Sequence, residues 1–142
     1  MSHERIQETA FVTGADRGLG LAFCSGLLER NWRVFAGQFL PAWHKLSELA
    51  GQYPGLLDIV SLDVASIESA QSAAQAVASQ VDHIDMLINN AGVNTQTKER
   101  KISEPDLLPE VSAQAGIELF INPLPDEDHL SMLDWQGEEW PW

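Results

Sequence analysis

The stretch VTGADRGLG, Val12–Gly20, places three glycines between a short apolar run and a segment with helical spacing. Positions without a Cβ let a phosphate approach the backbone, and the free N–H groups of a helix N-terminus can hydrogen-bond it. The spacing T-G-x-x-x-G-x-G is one residue longer than the G-x-G-x-x-G dinucleotide fingerprint, and no Gly-Lys-Ser/Thr follows as in a P-loop. By itself the turn fits glycine caps and close packing equally well.

Strand-like and helix-like stretches alternate on both sides of this turn. The alternation predicts a Rossmann-like α/β fold, a doubly wound parallel sheet with right-handed crossovers that binds ligands at the carboxyl ends of its strands. The predicted strands are Thr9–Thr13, Trp32–Gly37, Leu56–Val64 and Ile84–Gly92, and the predicted helices are Leu19–Asn31, Pro41–Gly51 and Ser66–Val81.

The alternation ends after Gly92. A polar stretch with two prolines follows, then Val111–Ile121 reads as a short helix and His129–Trp135 as a strand. We therefore expect a single domain with an incomplete sheet. Residues 1–105 form its dinucleotide-binding portion, and residues 106–142 form an acidic tail that contributes a helix and a strand.

Composition and charge exclude several classes of function. The 142 residues are 44% apolar and 20% charged, which is typical of one globular domain. Neither a membrane-spanning apolar run nor a secretory signal is visible, and a single cysteine excludes an internal disulfide, so we expect a cytoplasmic protein. The net charge is −13, and residues 102–142 carry ten acidic and no basic side chains. Such a tail predicts a solvated acidic surface and no binding to nucleic acid.

Three motifs in order make the chain similar to the short-chain dehydrogenase/reductase family. Thr13–Gly20 carries the family's T-G-x-x-x-G-x-G, Asp63-Val64 ends the third predicted strand, and Asn89–Gly92 ends the fourth. The resemblance implies descent from NAD(P)-dependent oxidoreductases and a dinucleotide as the partner.

The resemblance also implies a role for each motif residue. Gly14, Gly18 and Leu19 would line the pyrophosphate and ribose. Asp63 would accept a hydrogen bond from the adenine amino group, and Asn90–Gly92 would pass under the adenosine ribose. Asp63 is equally a candidate cap for the helix that starts near Ser66, and the Asn89-Asn90 pair is also typical of a turn. The implied cofactor-binding residues are Gly14, Arg17, Gly18, Leu19, Gly20, Asp63, Val64, Asn90, Ala91 and Gly92.

The sequence favours NADP over NAD. A carboxylate after the second strand binds the 2′-hydroxyl of NAD and repels a 2′-phosphate, but Val34–Leu40 contains no Asp or Glu. Arg17 stands where NADP-preferring members of the family often carry a basic residue. A guanidinium–phosphate contact would be worth roughly 1.5–3 kcal/mol. The alternative is that Arg17 pairs with its neighbour Asp16 on the surface.

No catalytic residue can be assigned. The family resemblance implies a Tyr-x-x-x-Lys pair on a helix, in which the Lys lowers the pKa of the Tyr hydroxyl. The only tyrosine, Tyr53, precedes a proline and has Leu57 four positions later. The four histidines show no metal-ligand spacing, and Cys24 reads as a small core residue rather than a nucleophile.

The tail explains this absence, because Gly116–Trp142 resembles the C-terminal end of a subgroup of the same family. The segment that normally carries the Ser, Tyr and Lys would then be missing between residues 102 and 111. Without the next strand, Asp85–Asn89 becomes an apolar edge that the tail or a second chain could pair with, which predicts self-association. Three hypotheses follow: an NADP-binding protein without hydride transfer, a non-enzymatic interaction module, or an oxidoreductase whose site a partner subunit completes.

Overall fold

Residues 7–91 contain four parallel strands that form one sheet, in the order β3-β2-β1-β4. They are β1 (Thr9–Val12), β2 (Arg33–Gln38), β3 (Leu57–Ser61) and β4 (Met86–Ile88). The structure is a computed structural model that describes residues 7–91, 113–114 and 117–118. β1 pairs with β2 on one side and with β4 on the other, so the order reverses beside β1. The predicted Rossmann-like parallel sheet is confirmed.

Within residues 7–91, three helices cover the two faces of this sheet: α1 (Gly18–Glu29), α2 (Lys45–Gln52) and α3 (Ile67–Ala78). Residues from α1 and α2 share one buried cluster with the strands, and residues from α3 share another with the opposite face. Neighbouring strand residues alternate between the clusters, as the pleat requires: Val34 faces α1 and α2, while Phe35 faces α3. Among the described residues, no helix combines the length and hydropathy needed to cross a bilayer.

A further helical piece packs on α1. Ala113 and Ile117 are helical and fully buried in the cluster that contains α1, and Glu118 forms a 2.9 Å ion pair with Arg30. Gly26 of α1 makes room for this contact, since a Cβ there would lie 2.6 Å from Cδ1 of Ile117. The four described positions of this piece, 113–114 and 117–118, are helical, in agreement with the helix predicted at Val111–Ile121.

The prediction that the second helix begins at Pro41 is wrong. The chain instead turns through residues 41–44, and α2 begins at Lys45. Two contacts hold this turn: the N–H groups of Phe39 and Leu40 donate to the carboxylate of Asp16, and the Trp43 N–H donates to the Leu40 carbonyl. Proline is compatible with the first turn of a helix. Here the long-range contact with Asp16 and the local turn at Leu40–Trp43 hold the segment in a non-helical conformation.

β4 is shorter than the predicted strand at Ile84–Gly92. It ends at Ile88 because the Asn90 N–H donates back to the Ile88 carbonyl, which bends the chain out of the sheet. In the part of the chain that the structure describes, β4 has a strand on one side only, and Leu87 is 59% exposed. Gly92 and the predicted strand at His129–Trp135 lie outside the described residues.

Candidate functional site

The carboxyl ends of β1 and β4 are fastened together by Thr13. Its hydroxyl oxygen accepts hydrogen bonds from the backbone N–H groups of Asn90 and Ala91, both at 2.9 Å, and lies 3.4 Å from the Ile88 carbonyl to which it donates. Thr13 is buried, whereas Asn90 and Ala91 are half-buried at this contact. One side chain thus joins two of the three predicted motifs.

Asn90 makes the second connection between these motifs. Its side-chain amide donates to the carbonyls of Thr13 and Gly14, at 3.3 and 3.1 Å. The resemblance assigned Asn90 to the cofactor ribose, whereas here its amide holds the glycine loop, which we define as Thr13–Gly20. Asn90 therefore acts at least as a positioning residue for that loop.

Two glycines of the loop are required by close packing. Gly14 has φ +60°, and a Cβ at this position would lie 2.8 Å from Cα of Ala91. A Cβ at Gly20 would overlap the Gly14 carbonyl oxygen and lie 2.6 Å from Nδ2 of Asn90. Both positions therefore exclude a side chain because protein atoms already occupy the space.

Gly18 differs from them because it borders open space. It has φ +55°, yet among the described residues no atom beyond its chain neighbours and its own helix backbone lies within 4 Å of the point that a Cβ would occupy. Gly18 is also the first residue of α1, and the preceding Arg17 provides no side-chain cap. The first N–H groups of a helix lack intrahelical partners and carry the positive end of its dipole, so this corner can hold an anion. Leu19, the second residue of α1, is half-buried against the cluster formed by α1, α2 and the strands.

The two charged residues of the loop point to different partners. The carboxylate of Asp16 is buried and accepts from Phe39 N at 3.0 Å and Leu40 N at 2.8 Å. The guanidinium of Arg17 is exposed and lies over the indole of Trp43, 4.5 Å from the ring centroid. The alternative that Asp16 and Arg17 pair on the surface is therefore wrong.

Asp63 and Val64 follow β3 at the same edge of the sheet. One carboxylate oxygen of Asp63 accepts a hydrogen bond from the backbone N–H of Ala65 at 3.0 Å. The backbone N–H of Asp63 donates to the Ser69 hydroxyl at 2.9 Å. Ser66 is the side-chain cap of α3. Asp63 thus supports the turn into this helix, but the cap is Ser66 and not, as the alternative interpretation expected, Asp63. Val64 is 56% exposed.

The remaining candidates for chemistry lie elsewhere. Cys24 is fully buried, and desolvation raises the pKa of its thiol to about 12, so it carries no thiolate at neutral pH. Tyr53 directly follows α2 and is half-buried against the cluster that α1 and α2 share with the strands. No group of three metal-ligating side chains occurs within the described ranges.

Sequence reasoning missed the roles of Thr13, Asp16 and Trp43. Thr13 was visible as the first residue of the glycine motif, which is a usable signal. The partners of Asp16 and Trp43 lie more than twenty residues away along the chain. No local pattern encodes such contacts.

Comparison with known proteins identifies relatives of this fold. The sequence model of a family described as short chain dehydrogenase matches residues 8–114. An acetoacetyl-CoA reductase of Cupriavidus necator is 33% identical over 102 residues, which cover 70% of this chain and 42% of that protein. An uncharacterized oxidoreductase of Schizosaccharomyces pombe is 41% identical over 85 residues, covering 58% and 33%.

Solved structures show the same relationship. A metagenomic short-chain oxidoreductase in complex with NADP superposes with a TM-score of 0.55 at 28% identity, covering 61% of this chain and 39% of that one. A short-chain dehydrogenase from Streptomyces avermitilis gives 0.57 at 29% identity, covering 61% and 31%. The chain spans less than half the length of each of these relatives.

Proposed function

Because the chain belongs to the short chain dehydrogenase family, we propose that it binds a nicotinamide adenine dinucleotide at the glycine loop, with NADP(H) preferred to NAD(H). The observation that carries the proposal is the open space over Gly18 at the start of α1, next to a loop that Thr13 and Asn90 hold in place. Backbone N–H groups at this corner would bind the pyrophosphate. The bound dinucleotide would supply hydride chemistry.

The adenosine end of the proposed site lies at the carboxyl ends of β2 and β3. Asp63 has a second carboxylate oxygen available for the adenine amino group, and Val64 offers an exposed apolar surface for the base. Ala91 approaches the glycine loop closely, which suits a backbone that passes under the ribose. Gly92, which lies outside the described residues, is proposed from its motif alone.

Selectivity for NADP is supported by the charges around Arg17. The end of β2 carries Gln38 and Phe39, neither of which is acidic. The nearby Asp16 carboxylate is buried and turned onto backbone N–H groups, so it is a poor ligand for a 2′-hydroxyl. Arg17 forms no ion pair with any residue that the structure describes, which leaves its charge for a 2′-phosphate.

We infer that the chain alone transfers no hydride. Its sequence has no Tyr-x-x-x-Lys, and Tyr53 directly follows α2 with Leu57, not a lysine, four positions later. The alternatives are a non-enzymatic interaction module and an oxidoreductase whose site is completed by a partner subunit. The proposal keeps a cytoplasmic location, which rests on the sequence features given above, and self-association through the β4 edge (Met86–Ile88).

Calorimetric titration with NADPH and NADH tests the binding proposal. We expect tighter binding of NADPH, and Arg17→Ala should remove the preference by weakening NADPH alone, by about 1.5–3 kcal/mol. Gly18→Ala should weaken both cofactors, because its Cβ projects into the space proposed for the pyrophosphate. Arg30→Gln removes the same charge at the far end of α1 and is the control. Equal affinities for the two cofactors in the unmutated chain would contradict NADP selectivity.

Following NADPH absorbance with a panel of carbonyl compounds tests the second inference. The purified chain should show binding without oxidation of NADPH. Turnover by the purified chain would contradict the loss of hydride transfer. Turnover that appears only after a second protein is added would favour the partner-completed site.

A further inference from the structure

Trp43 has a contact that neither the family motifs nor the folding of the core explains. It lies in the loop between β2 and α2, half-buried, and its indole ring faces the guanidinium of Arg17 at 4.5 Å. Arg17 belongs to the glycine loop, so this contact joins two segments that are 26 residues apart. A tryptophan ring is the best aromatic partner for a cation.

We propose that Trp43 is a positioning residue that holds Arg17 at the adenosine end of the site and thereby sets its selectivity for a 2′-phosphorylated nucleotide. The inference rests on the proposed binding of NADP(H) and adds a specificity-determining residue to it.

The backbone on both sides of this pair is held in place. The carboxylate of Asp16, the neighbour of Arg17, accepts the N–H groups of Phe39 and Leu40, and the Trp43 N–H donates to the Leu40 carbonyl at 3.2 Å. The bonds of Asp16 to Phe39 and Leu40 therefore connect the segment of Arg17 to the loop that contains Trp43. The indole ring and the guanidinium lie next to each other because these hydrogen bonds already hold the two backbone segments together.

The stacked geometry leaves Arg17 able to bind an anion. A guanidinium is planar and directs its N–H groups outward in that plane, while an aromatic ring occupies one of its faces. Stacking therefore restricts the long side chain without using its hydrogen-bond donors. Since Arg17 makes no ion pair within the described part of the chain, those donors have no competing carboxylate there.

Restriction before binding should strengthen the contact with phosphate. A free arginine side chain loses rotamer freedom when it binds a ligand, and a side chain that is already held loses less. Exposed cation–π contacts correspond to about a two- to five-fold change in an equilibrium constant. The effect should be limited to ligands that carry the 2′-phosphate.

Adenosine 2′,5′-bisphosphate and 5′-AMP provide the test, because they occupy only the adenosine half of the site. Calorimetry would give the dissociation constants for the unmutated chain and for Trp43→Leu, Trp43→Phe, Arg17→Ala and the Arg17→Ala/Trp43→Leu double variant. We expect Trp43→Leu to weaken the bisphosphate about two- to five-fold and to leave 5′-AMP unchanged. Trp43→Phe, which keeps an aromatic face, should recover most of the loss. The double variant should bind no worse than Arg17→Ala alone.

The outcomes separate this inference from the proposed function. If the unmutated chain binds both nucleotides equally, or binds neither, NADP selectivity fails and the role of Trp43 fails with it. If Arg17→Ala removes a real preference but Trp43→Leu does not alter it, only the role of Trp43 is overturned. Equal weakening of both ligands by Trp43→Leu and Trp43→Phe also overturns it, since that pattern indicates a general packing role. Thermal unfolding of each variant shows whether it is folded.

Discussion

At the scale of single residues, Thr13 has the largest structural influence on the site. Its hydroxyl oxygen is the acceptor for two backbone N–H groups of the β4 turn. Asn90, in the turn after β4, adds two hydrogen bonds that its side-chain amide donates to carbonyls of the glycine loop. The alignment of the two motifs therefore depends on these two side chains.

Replacing Thr13 by valine keeps its shape and removes the oxygen. Two half-buried N–H groups then lose this acceptor, and only that of Asn90 keeps a second one, the Ile88 carbonyl. We expect the free energy of unfolding to fall by about 1–3 kcal/mol. Thr13→Ser keeps the hydroxyl and should cost less. Urea unfolding of both variants measures the difference, and equal losses would show that the methyl group, not the hydroxyl, is important.

Cys24 makes stability depend on pH above neutrality. Burial raises the pKa of its thiol from an ordinary 9.0 to about 12 in the folded chain. Above about pH 9 the unfolded chain releases this proton while the folded chain keeps it, so a rise in pH favours unfolding, by at most about 1.4 kcal/mol per pH unit. Urea unfolding at several pH values should show a steeper loss for the unmutated chain than for Cys24→Ala. Parallel curves would contradict the burial of the thiol.

At the scale of elements, the contact between α1 and the helical piece at Ala113 and Ile117 depends on a glycine. Gly26 allows Ile117 to approach the helix backbone, and Arg30 at the end of α1 pairs with Glu118. Ile117 is completely buried where it packs against α1. This part of the tail is thus included in the core and is not only an acidic surface, as its charge had suggested.

Gly26 and Gly51 form a matched pair for testing this contact. Both lie in helices, where alanine is preferred to glycine by about 0.5–1 kcal/mol. A Cβ at Gly51 would meet no atom of another described part of the chain within 4 Å. Gly51→Ala should therefore stabilise the chain. Gly26→Ala should destabilise it by about 1–3 kcal/mol through overpacking against Ile117, and Ile117→Ala in the same chain should relieve part of the strain. Thermal or urea unfolding measures these effects, and stabilisation by Gly26→Ala would mean that the helical piece does not rest on α1.

At the scale of the whole molecule, the sheet leaves apolar surface beside its β4 edge. An open groove of about 530 Å³ lies between α3 and β4 and is lined mainly by apolar side chains, among them Phe11, Val77 and Leu87. In the described part of the chain no strand pairs with the outer side of β4. Unpaired strand edges favour pairing with another chain.

Self-association through this edge should respond to a charge placed on it. Leu87→Lys should shift sedimentation profiles toward the monomer, because a lysine on an edge strand opposes pairing. Ile59→Lys is the matched control: it alters an exposed residue of β3, the strand at the opposite edge of the described sheet. Equal effects of the two substitutions, or a monomer before any substitution, would argue against pairing at β4.

The sequence by itself determined the α/β class, the order of strands and helices, and the position of the glycine turn, because these depend on local periodicity and on glycine spacing. Only the tertiary structure decided which residues hold that turn and where its charges point. Thr13 reaches the β4 turn, Asp16 caps the start of the β2–α2 loop, and Arg17 meets Trp43 across segments that are distant in sequence. Such contacts depend on how the parallel strands bring their carboxyl ends to one edge, so no local pattern along the chain contains them.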